Sequence, residues 1–218
     1  MPVDLRSKRL LRALPVVARE VLLRGLPPGS LDRDFLLRRL PAGSVGAEIG
    51  VHEGDFSRRI LRLTRPRRLH LIDPWRYQDS EVYAESLYGG RLGGDQARMD
   101  ARYEAVGRRF RREVEAGQVD IRRQRSADAC DAFEDEYFDW IYVDGDHRRE
   151  QVLRDLVLYL PKVKPGGWIT GDDYGDGGWW GDGVRKAVDE FVARVGCALE
   201  EVRDRQFLLR RPPSQSRW

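Results

Sequence analysis

Short apolar runs alternate with helical segments along most of this 218-residue chain. Runs of strand length lie at 44–50, 68–73, 119–122, 140–143 and 167–171. Helical patterns separate or follow them at 55–63, 97–116, 126–133, 147–159 and 184–195. Two closing runs, 199–202 and 206–209, flank a tight turn and predict an antiparallel pair. This alternation predicts an α/β fold: a Rossmann-like, seven-stranded, mostly parallel sheet with helices on both faces and an antiparallel last strand.

The pattern also predicts how the chain is organised. Residues 1–40 form a helical extension, 41–211 a single domain and 212–218 a flexible tail. The extension holds an amphipathic helix and a short second helix at 31–40. The apolar stripe of the first helix comprises Leu10, Leu11, Leu14, Val17, Val21 and Leu22, and is compatible with packing on the domain or with a homodimer contact. Residues 76–100 have aromatic and glycine character without a strand pattern, which indicates a lid-like insertion.

Composition limits the class of protein. The net charge is +3, from 39 basic and 36 acidic residues, and this balance argues against a dedicated nucleic-acid-binding protein. Cys130 and Cys197 lie far apart and in no metal-ligand spacing, so we expect reduced thiols and a cytoplasmic location. No stretch reaches the roughly 18 apolar residues that a membrane span needs.

Carboxylates follow two of the predicted strands. Asp144 comes directly after the strand at 140–143, and Asp172 and Asp173 come directly after the strand at 167–171. Because the carboxyl ends of parallel strands open onto one crevice, these three side chains converge if the strands are neighbours. Close carboxylates repel one another unless a cation neutralises them, and Mg²⁺ prefers oxygen ligands. The alternative is that they are polar loop residues that cap the following helices.

The first turn after a strand predicts a cofactor. It reads Glu48-Ile49-Gly50-Val51-His52-Glu53-Gly54, which is neither the dinucleotide fingerprint nor a phosphate-binding loop. Glu48 suits a cationic group, such as an ammonium or a sulfonium, better than a pyrophosphate. Asp73, at the end of the second strand, is placed to accept hydrogen bonds from ribose hydroxyls. A ribose at one end and positive charge at the other favour S-adenosylmethionine over a nicotinamide cofactor.

At these residues the chain resembles a known family. The segments that carry the resemblance are 47–54, 71–75, 96–100, 142–147, 160–174 and 183–188. They are similar to class I S-adenosylmethionine-dependent methyltransferases, and more narrowly to the group of macrocin O-methyltransferases and proteins named cephalosporin hydroxylases. The resemblance spans roughly residues 44–210, and its more specific part is Asp144-Gly145-Asp146-His147 followed by the Gly171-Asp172-Asp173-Tyr174 block.

The resemblance implies roles for individual residues. The amino-acid part of the cofactor would lie beside Glu48, Gly50 and Gly54, and the ribose beside Asp73. The adenine would lie near Ser126 and Ala127. The Mg²⁺ ligands of the family match Asp144, Asp172 and Asp173, and Asp144 is also predicted to border the cofactor. Members methylate hydroxyl groups of sugars or phenols in natural products, so the expected partner is a small hydroxylated molecule.

Methyl transfer from a sulfonium needs positioning and one proton acceptor. Asp144 is our first choice for that base, and His147 is the second because imidazole titrates near neutral pH. Alternatively, His147 packs at the start of the next helix. An aromatic wall for a sugar or phenol ring is predicted from Trp75, Trp179, Trp180 and Tyr174, for each of which a core or lid-packing role is equally compatible.

Three other functions stay open at this point. A nicotinamide oxidoreductase is disfavoured by Glu48 and by the absent third glycine of the fingerprint. A methyltransferase on RNA or protein would require the arginines between 108 and 125 and the basic N-terminal helix to form one continuous patch with the pocket. A protein that binds S-adenosylmethionine without catalysis would not need the three carboxylates.

Overall fold

A computed structural model describes residues 33–213 and contains one seven-stranded sheet. The strand order is β3-β2-β1-β4-β5-β7-β6. Strands β1 to β5 pair in parallel, whereas β7 runs antiparallel to both β5 and β6. The predicted α/β class, the mostly parallel sheet and the antiparallel last strand are therefore confirmed. Within residues 33–213, no helix is long and apolar enough to cross a membrane.

The elements follow the predicted alternation. The strands are β1 Val45–Ile49, β2 Arg68–Ile72, β3 Val119–Arg122, β4 Phe138–Val143, β5 Val163–Gly171, β6 Ala198–Arg203 and β7 Gln206–Arg210. The α-helices are α1 Asp34–Leu37, α2 Asp55–Thr64, α3 Gly90–Gly93, α4 Gln96–Arg109, α5 Arg111–Glu115, α6 Ser126–Cys130, α7 Arg149–Tyr159 and α8 Gly183–Val195. A 3₁₀ turn, Glu81–Tyr83, lies in the predicted insertion.

Each face of the sheet is covered by its own set of helices. Alternate residues of a strand point to opposite faces, so Val45, Ala47 and Ile49 pack on one side with α6, α7 and α8. Leu69, Leu71 and Tyr142 pack on the other side with α1, α2 and α4. All five residues of β1 are buried, which is the pattern of a central strand in a parallel sheet.

Several predicted element bounds are wrong. The helix predicted at 97–116 is interrupted at Phe110, whose buried ring packs under the turn at Gly54. The predicted turn at 161–167 is too long, because β5 already begins at Val163 and pairs there with Phe138 of β4. The predicted helices at 126–133 and 31–40 shorten to α6 and, among the described residues, to α1.

The start of the helix predicted at 147–159 also moves, to Arg149. The carboxylate of Asp146 accepts a hydrogen bond from the amide of Arg148 at 2.9 Å, and this turn occupies the residues before α7. The amphipathic helix predicted before residue 31, with its apolar stripe, lies outside the described residues. The last five residues of the predicted tail lie outside them as well.

Candidate active site

Four strands of the sheet end level with one another. Ile49 of β1 pairs with Ile72 of β2 and with Val143 of β4, and Val143 pairs with Gly171 of β5. The residues that follow these four partners are Gly50, Asp73, Asp144 and Asp172. One row across the carboxyl edge of the sheet therefore contains three carboxylates and one glycine. This is the edge at which ligands bind in open α/β sheets.

The carboxylate of Asp73 is buried and is hydrogen-bonded by backbone amides of two turns, the one after β2 and the one after β1. Its Oδ2 accepts hydrogen bonds from the amides of Val51 at 2.9 Å and His52 at 3.0 Å, and its Oδ1 accepts one from the amide of Trp75 at 2.7 Å. The hydroxyl of Tyr88, from the predicted insertion, donates to Oδ2 at 2.5 Å. Burial raises the pKa of Asp73, and these four hydrogen bonds oppose that shift.

Glu48 lies beneath the glycine turn as a buried acid. Its side chain accepts a hydrogen bond from the hydroxyl of Ser57 on α2. Burial raises the pKa of Glu48 well above its usual value, and the negative charges of Asp144 and Asp73 raise it further. A bound cation would stabilise the ionised form of Glu48 in this position.

Gly50 allows the turn to lie directly against the end of β4. Its φ is +92°, and a Cβ at this position would lie 2.1 Å from the carbonyl oxygen of Asp144. Any other residue would therefore push β1 and β4 apart at the edge where the carboxylates lie.

His147 lies between two of the predicted acids. Its Nδ1 is 3.1 Å from Oδ2 of Asp173, and its Nε2 is 3.7 Å from Oδ1 of Asp144. Each of the three residues offers a ligand atom, and these atoms all lie within 4.8 Å of one another. Burial lowers the pKa of His147, but the close carboxylate of Asp173, with the charge of Asp144, raises it by more. His147 therefore has a pKa above its ordinary value.

Asp172 faces a different set of partners. Its carboxylate forms an ion pair with Arg33 and accepts hydrogen bonds from the side-chain amide of Gln206 and from the amide of Asp173 at 2.7 Å. The structure thus brings Asp144 and Asp173 together with His147, whereas Asp172 lies in the same row with its charge matched by Arg33. The predicted ligand set of three aspartates stays a prediction.

The predicted insertion at 76–100 and the loop after β5 contact each other above this cluster. Tyr83 of the insertion donates its hydroxyl to the carboxylate of Asp146, and its ring lies 5.4 Å from that of Trp179 in the loop after β5. The ring of Trp179 stacks on His147 at a centroid distance of 6.2 Å. The insertion and the loop therefore cover the cluster together.

The other three predicted aromatic residues are buried or partly buried. Trp75 is fully buried and donates its indole N–H to the carbonyl of His52 at 2.8 Å, which fits the core-packing role. Trp180 packs edge-on against His147 at 4.5 Å. Tyr174 is partly buried and donates its hydroxyl to Asp189 of α8 at 2.6 Å.

Ser126 and Ala127 lie half-buried at the start of α6, directly after β3. The hydroxyl of Ser126 donates to the carboxylate of Asp155 on α7 at 2.5 Å. Burial raises the pKa of Asp155 to about 6, and the hydrogen bond from Ser126 only partly opposes this. A buried carboxyl that titrates near neutral pH therefore lies beside the predicted adenine position.

Comparison with known proteins identifies the family. The family described as a methyltransferase domain matches residues 47–174, which contain every residue predicted to bind cofactor or metal or to act in catalysis. The chain belongs to this methyltransferase family. Its fold is that of class I S-adenosylmethionine-dependent methyltransferases.

Three solved structures illustrate that fold. The O-methyltransferase NovP is 21% identical with a TM-score of 0.57, over 83% of this chain and 79% of NovP. The N-methyltransferase NodS from Bradyrhizobium japonicum, in complex with S-adenosyl-L-homocysteine, is 17% identical with a TM-score of 0.53, over 95% and 97%. A Corynebacterium glutamicum protein is 16% identical with a TM-score of 0.58, over 100% and 94%. Because NovP and NodS are named for different acceptor atoms, the shared fold does not identify the acceptor.

A curated relative supports only a local match. An uncharacterised protein of Acanthamoeba polyphaga mimivirus is 40% identical over 57 residues, which are 26% of this methyltransferase and 25% of the viral protein. The match spans about a quarter of that relative, so nothing about its activity carries over.

Sequence reasoning missed two residues of the site. Tyr88 reaches Asp73 from an insertion whose glycine and aromatic content was visible, but no spacing rule pairs the two residues. Arg33 reaches Asp172 and Asp144 from the residue before α1, a segment that adds nothing to the family resemblance. Both contacts depend on long-range packing, for which the sequence contains no local signal.

The raised pKa of Asp155 predicts how the stability of the methyltransferase depends on pH. Its folded pKa of about 6 lies above the ordinary value of 3.8, so its contribution is fully present below pH 4 and is lost as the pH rises through 6. Asp155→Asn should therefore raise the free energy of unfolding at pH 7 by about 2–3 kcal/mol and flatten its dependence between pH 4 and 7. Urea denaturation at several pH values measures both effects.

Asp128→Asn is the matched control, because Asp128 lies on α6, the helix of Ser126, but pairs with Arg125 at the surface. It should leave the pH profile nearly unchanged. A loss of stability in Asp155→Asn that is equal at pH 4 and pH 7 would show instead that the hydrogen bond with Ser126 outweighs the burial of the charge.

Proposed function

We propose that this chain is an S-adenosylmethionine-dependent O-methyltransferase that acts on a hydroxyl group of a small molecule such as a sugar or a phenol. The level carboxyl edge of the sheet is the observation that carries the proposal. It presents an acid for a ribose, Asp73, and a buried acid for a cationic group, Glu48, beside a cluster that can take up a proton. Family membership supports methyl transfer, and the complex of NodS with S-adenosyl-L-homocysteine supports this cofactor.

The cofactor would extend along the row of strand ends. Its amino-acid part lies beside Glu48, Gly50 and Gly54, its ribose beside Asp73 and its adenine beside Ser126 and Ala127, with Asp144 at the border toward the acceptor. The close approach of Gly50 to the end of β4 supports the first placement, because it brings the glycine turn next to Asp144. The half-buried start of α6 supports the last.

The proton of the acceptor hydroxyl would pass to the acid–histidine cluster. Asp144 is the proposed base because it borders both the cofactor and the cluster. His147 is the second candidate, since Asp173 stabilises its protonated form at 3.1 Å. Methyl transfer then needs the hydroxyl oxygen held in line with the sulfonium, which is a matter of positioning rather than of covalent help from the protein.

The donor set also fits a divalent cation. Asp144, His147 and Asp173 offer two carboxylates and one imidazole, and their ligand atoms lie within 4.8 Å of one another. Oxygen ligands favour Mg²⁺, whereas the imidazole favours a transition metal such as Mn²⁺ or Zn²⁺. A bound cation would lower the pKa of the acceptor hydroxyl. Asp172, the third predicted ligand, would join only after it separates from Arg33.

Aromatic rings above the cluster support a ring-shaped acceptor. Trp179 is partly exposed, stacks on His147 and contacts Tyr83 of the insertion. Flat aromatic faces bind sugars and phenols through apolar contact while a hydroxyl reaches polar groups below. A small acceptor is therefore proposed to bind between the insertion and the loop after β5.

The ion pairs of the arginine clusters argue against a nucleic-acid substrate. Six arginines between 108 and 125 each lie within 4.0 Å of a carboxylate: Arg108, Arg109, Arg111, Arg122, Arg123 and Arg125. A phosphate-binding surface needs cations whose charge is available to the phosphates. These pairs instead favour a surface with balanced charge.

Calorimetric titration with S-adenosylmethionine and with NAD⁺, each with and without Mg²⁺ or Mn²⁺, tests the proposal. We expect micromolar binding of S-adenosylmethionine, no binding of NAD⁺ and a metal-dependent heat. Asp144→Asn should lose the metal response, and with an identified acceptor it should slow methyl transfer by about 10²–10⁴-fold, the usual contribution of a general base. His147→Gln makes the same test for His147, the second candidate base: the variant that slows methyl transfer more identifies the base.

Asp135→Asn is the control, since it removes an exposed carboxylate that pairs with Lys162 away from the carboxyl edge. It should bind cofactor and metal as the wild type does. Cofactor binding without any metal response would point to a metal-independent transfer, and the absence of S-adenosylmethionine binding would overturn the proposed function.

A further inference from the structure

One arginine reaches into the acidic edge of the sheet. Arg33 directly precedes α1, and its Nη2 forms an ion pair with Asp172 while its Nη1 lies 3.7 Å from Oδ2 of Asp144. Its guanidinium also lies over the ring of Phe56 on α2, with Cζ 5.3 Å from the ring centroid. The side chain is 21% exposed, so the charge is partly shielded from water but can be reached from the crevice.

The other arginines at this edge lie closer to the acceptor side. Arg205 pairs with Asp173, and Arg148 pairs with Asp146. Arg33 contacts Asp144 and Asp172 at the ends of β4 and β5 and lies over Phe56, two residues after the glycine turn, and its positive charge also lowers the pKa of Glu48. Arg33, directly before α1, therefore places a positive charge in the part of the crevice in which the amino-acid end of the cofactor is proposed to bind.

That end of S-adenosylmethionine carries both charges. Glu48 and Asp144 suit its ammonium and sulfonium groups, but the same acids repel its carboxylate. A guanidinium has five N–H donors in a planar fork and can contact two carboxylates at once. Gln206 and the amide of Asp173 both donate to Oδ1 of Asp172, so Arg33 would keep Nη2 on Oδ2 of Asp172 and turn its other N–H groups from Asp144 to the cofactor.

We propose that Arg33 binds the α-carboxylate of the cofactor, exchanging part of its ion pair with Asp144 and Asp172 for this contact. The inference rests on the proposed function and assigns a role to a residue outside the segment that matches the family. It also means that the residue leading into α1 takes part in the cofactor site.

A pair of ligands isolates the proposed contact. S-adenosyl-L-homocysteine carries the amino-acid end, whereas 5′-methylthioadenosine carries the same nucleoside without it. Arg33→Gln should weaken the binding of S-adenosyl-L-homocysteine by at least about tenfold, as expected for the loss of a charge-assisted hydrogen bond, and leave 5′-methylthioadenosine unaffected. Arg33→Lys should fall between, because it keeps the charge and loses the fork. Calorimetry measures both ligands on each variant.

Arg59→Gln controls for the possibility that a substitution weakens binding only because α1 shifts. Arg59 on α2 pairs with Asp34, the first residue of α1, and lies outside the proposed site. It should change the affinity for neither ligand. Retained binding of 5′-methylthioadenosine also shows that each variant is folded.

Three outcomes would overturn the assignment in different ways. An Arg33→Gln variant that binds S-adenosyl-L-homocysteine more tightly would make Arg33 a competitor of the cofactor. Equal weakening of both ligands would make its role structural, and unchanged affinity for both would exclude a role in binding. Wild-type protein that binds neither ligand would instead remove the proposed function itself.

Discussion

Gly50→Ala should destabilise the protein by about 3 kcal/mol and abolish measurable cofactor binding. A Cβ at residue 50 would lie 2.1 Å from the carbonyl oxygen of Asp144 and 2.6 Å from Cα of Gly145, and both are backbone atoms that no side-chain rotation can move away. The φ of +92° adds strain of its own. Urea denaturation gives the loss of stability, and calorimetry with S-adenosyl-L-homocysteine gives the loss of binding.

Gly107→Ala is the matched control for that substitution. Gly107 lies inside α4, and a Cβ there would meet no atom within 4 Å. Alanine should therefore stabilise the protein by up to about 1 kcal/mol through its higher helix propensity. A Gly50→Ala variant with wild-type stability and affinity would show that the end of β4 can move, and that the close contact is not required.

The strand ends could be predicted because burial and chain direction are both visible in the sequence. The buried runs before Asp73, Asp144 and Asp172 have the length of strands, and the helices between them require parallel pairing. Parallel pairing places all carboxyl ends at one edge, so the convergence of these residues follows once β1, β2, β4 and β5 are neighbours. The condition set by the sequence, that the strands before Asp144 and Asp172 are neighbours, is met by the pairing of β4 with β5.

The orientation of the acids within the row could not be predicted. Asp172 and Asp173 are consecutive, and which of them faces His147 is decided by the turn that follows β5. Asp173 has φ of +61°, a left-handed conformation that directs its carboxylate toward His147 and leaves Asp172 facing Gln206 and Arg33. Periodicity gives the end of a strand but not the conformation of the next residue.

The interruption of the long helix has a similar cause. The helical pattern continues through Phe110, so sequence alone predicts one helix over 97–116. In the fold, the ring of Phe110 packs against the turn at Gly54, and the chain deviates from helical geometry at that residue, where φ is −105°. Long-range packing thus overrides local propensity, as it also does where Tyr88 reaches Asp73.

Asp73→Asn should weaken the binding of adenosine-containing ligands by at least about 100-fold, the loss expected for two hydrogen bonds to a charged group. The carboxylate accepts hydrogen bonds from three backbone amides and from the hydroxyl of Tyr88. In asparagine, the NH₂ group replaces one of the two acceptor oxygens and would face N–H or O–H donors that it cannot pair with. The turn after β1 should loosen as well, and thermal melts of the variant measure that separate effect.

Adenosine and 2′,3′-dideoxyadenosine separate a ribose contact from a structural role. If Asp73 accepts hydrogen bonds from the ribose, removing the hydroxyls from the ligand should weaken binding strongly in the wild type and little in Asp73→Asn. Asp100→Asn is the control, because Asp100 is an acid on the neighbouring helix α4 whose partners are Arg123 and Gln96. Equal sensitivity to the hydroxyls in wild type and Asp73→Asn would place the ribose elsewhere, and Asp73 would then serve only to hold the turn against Tyr88.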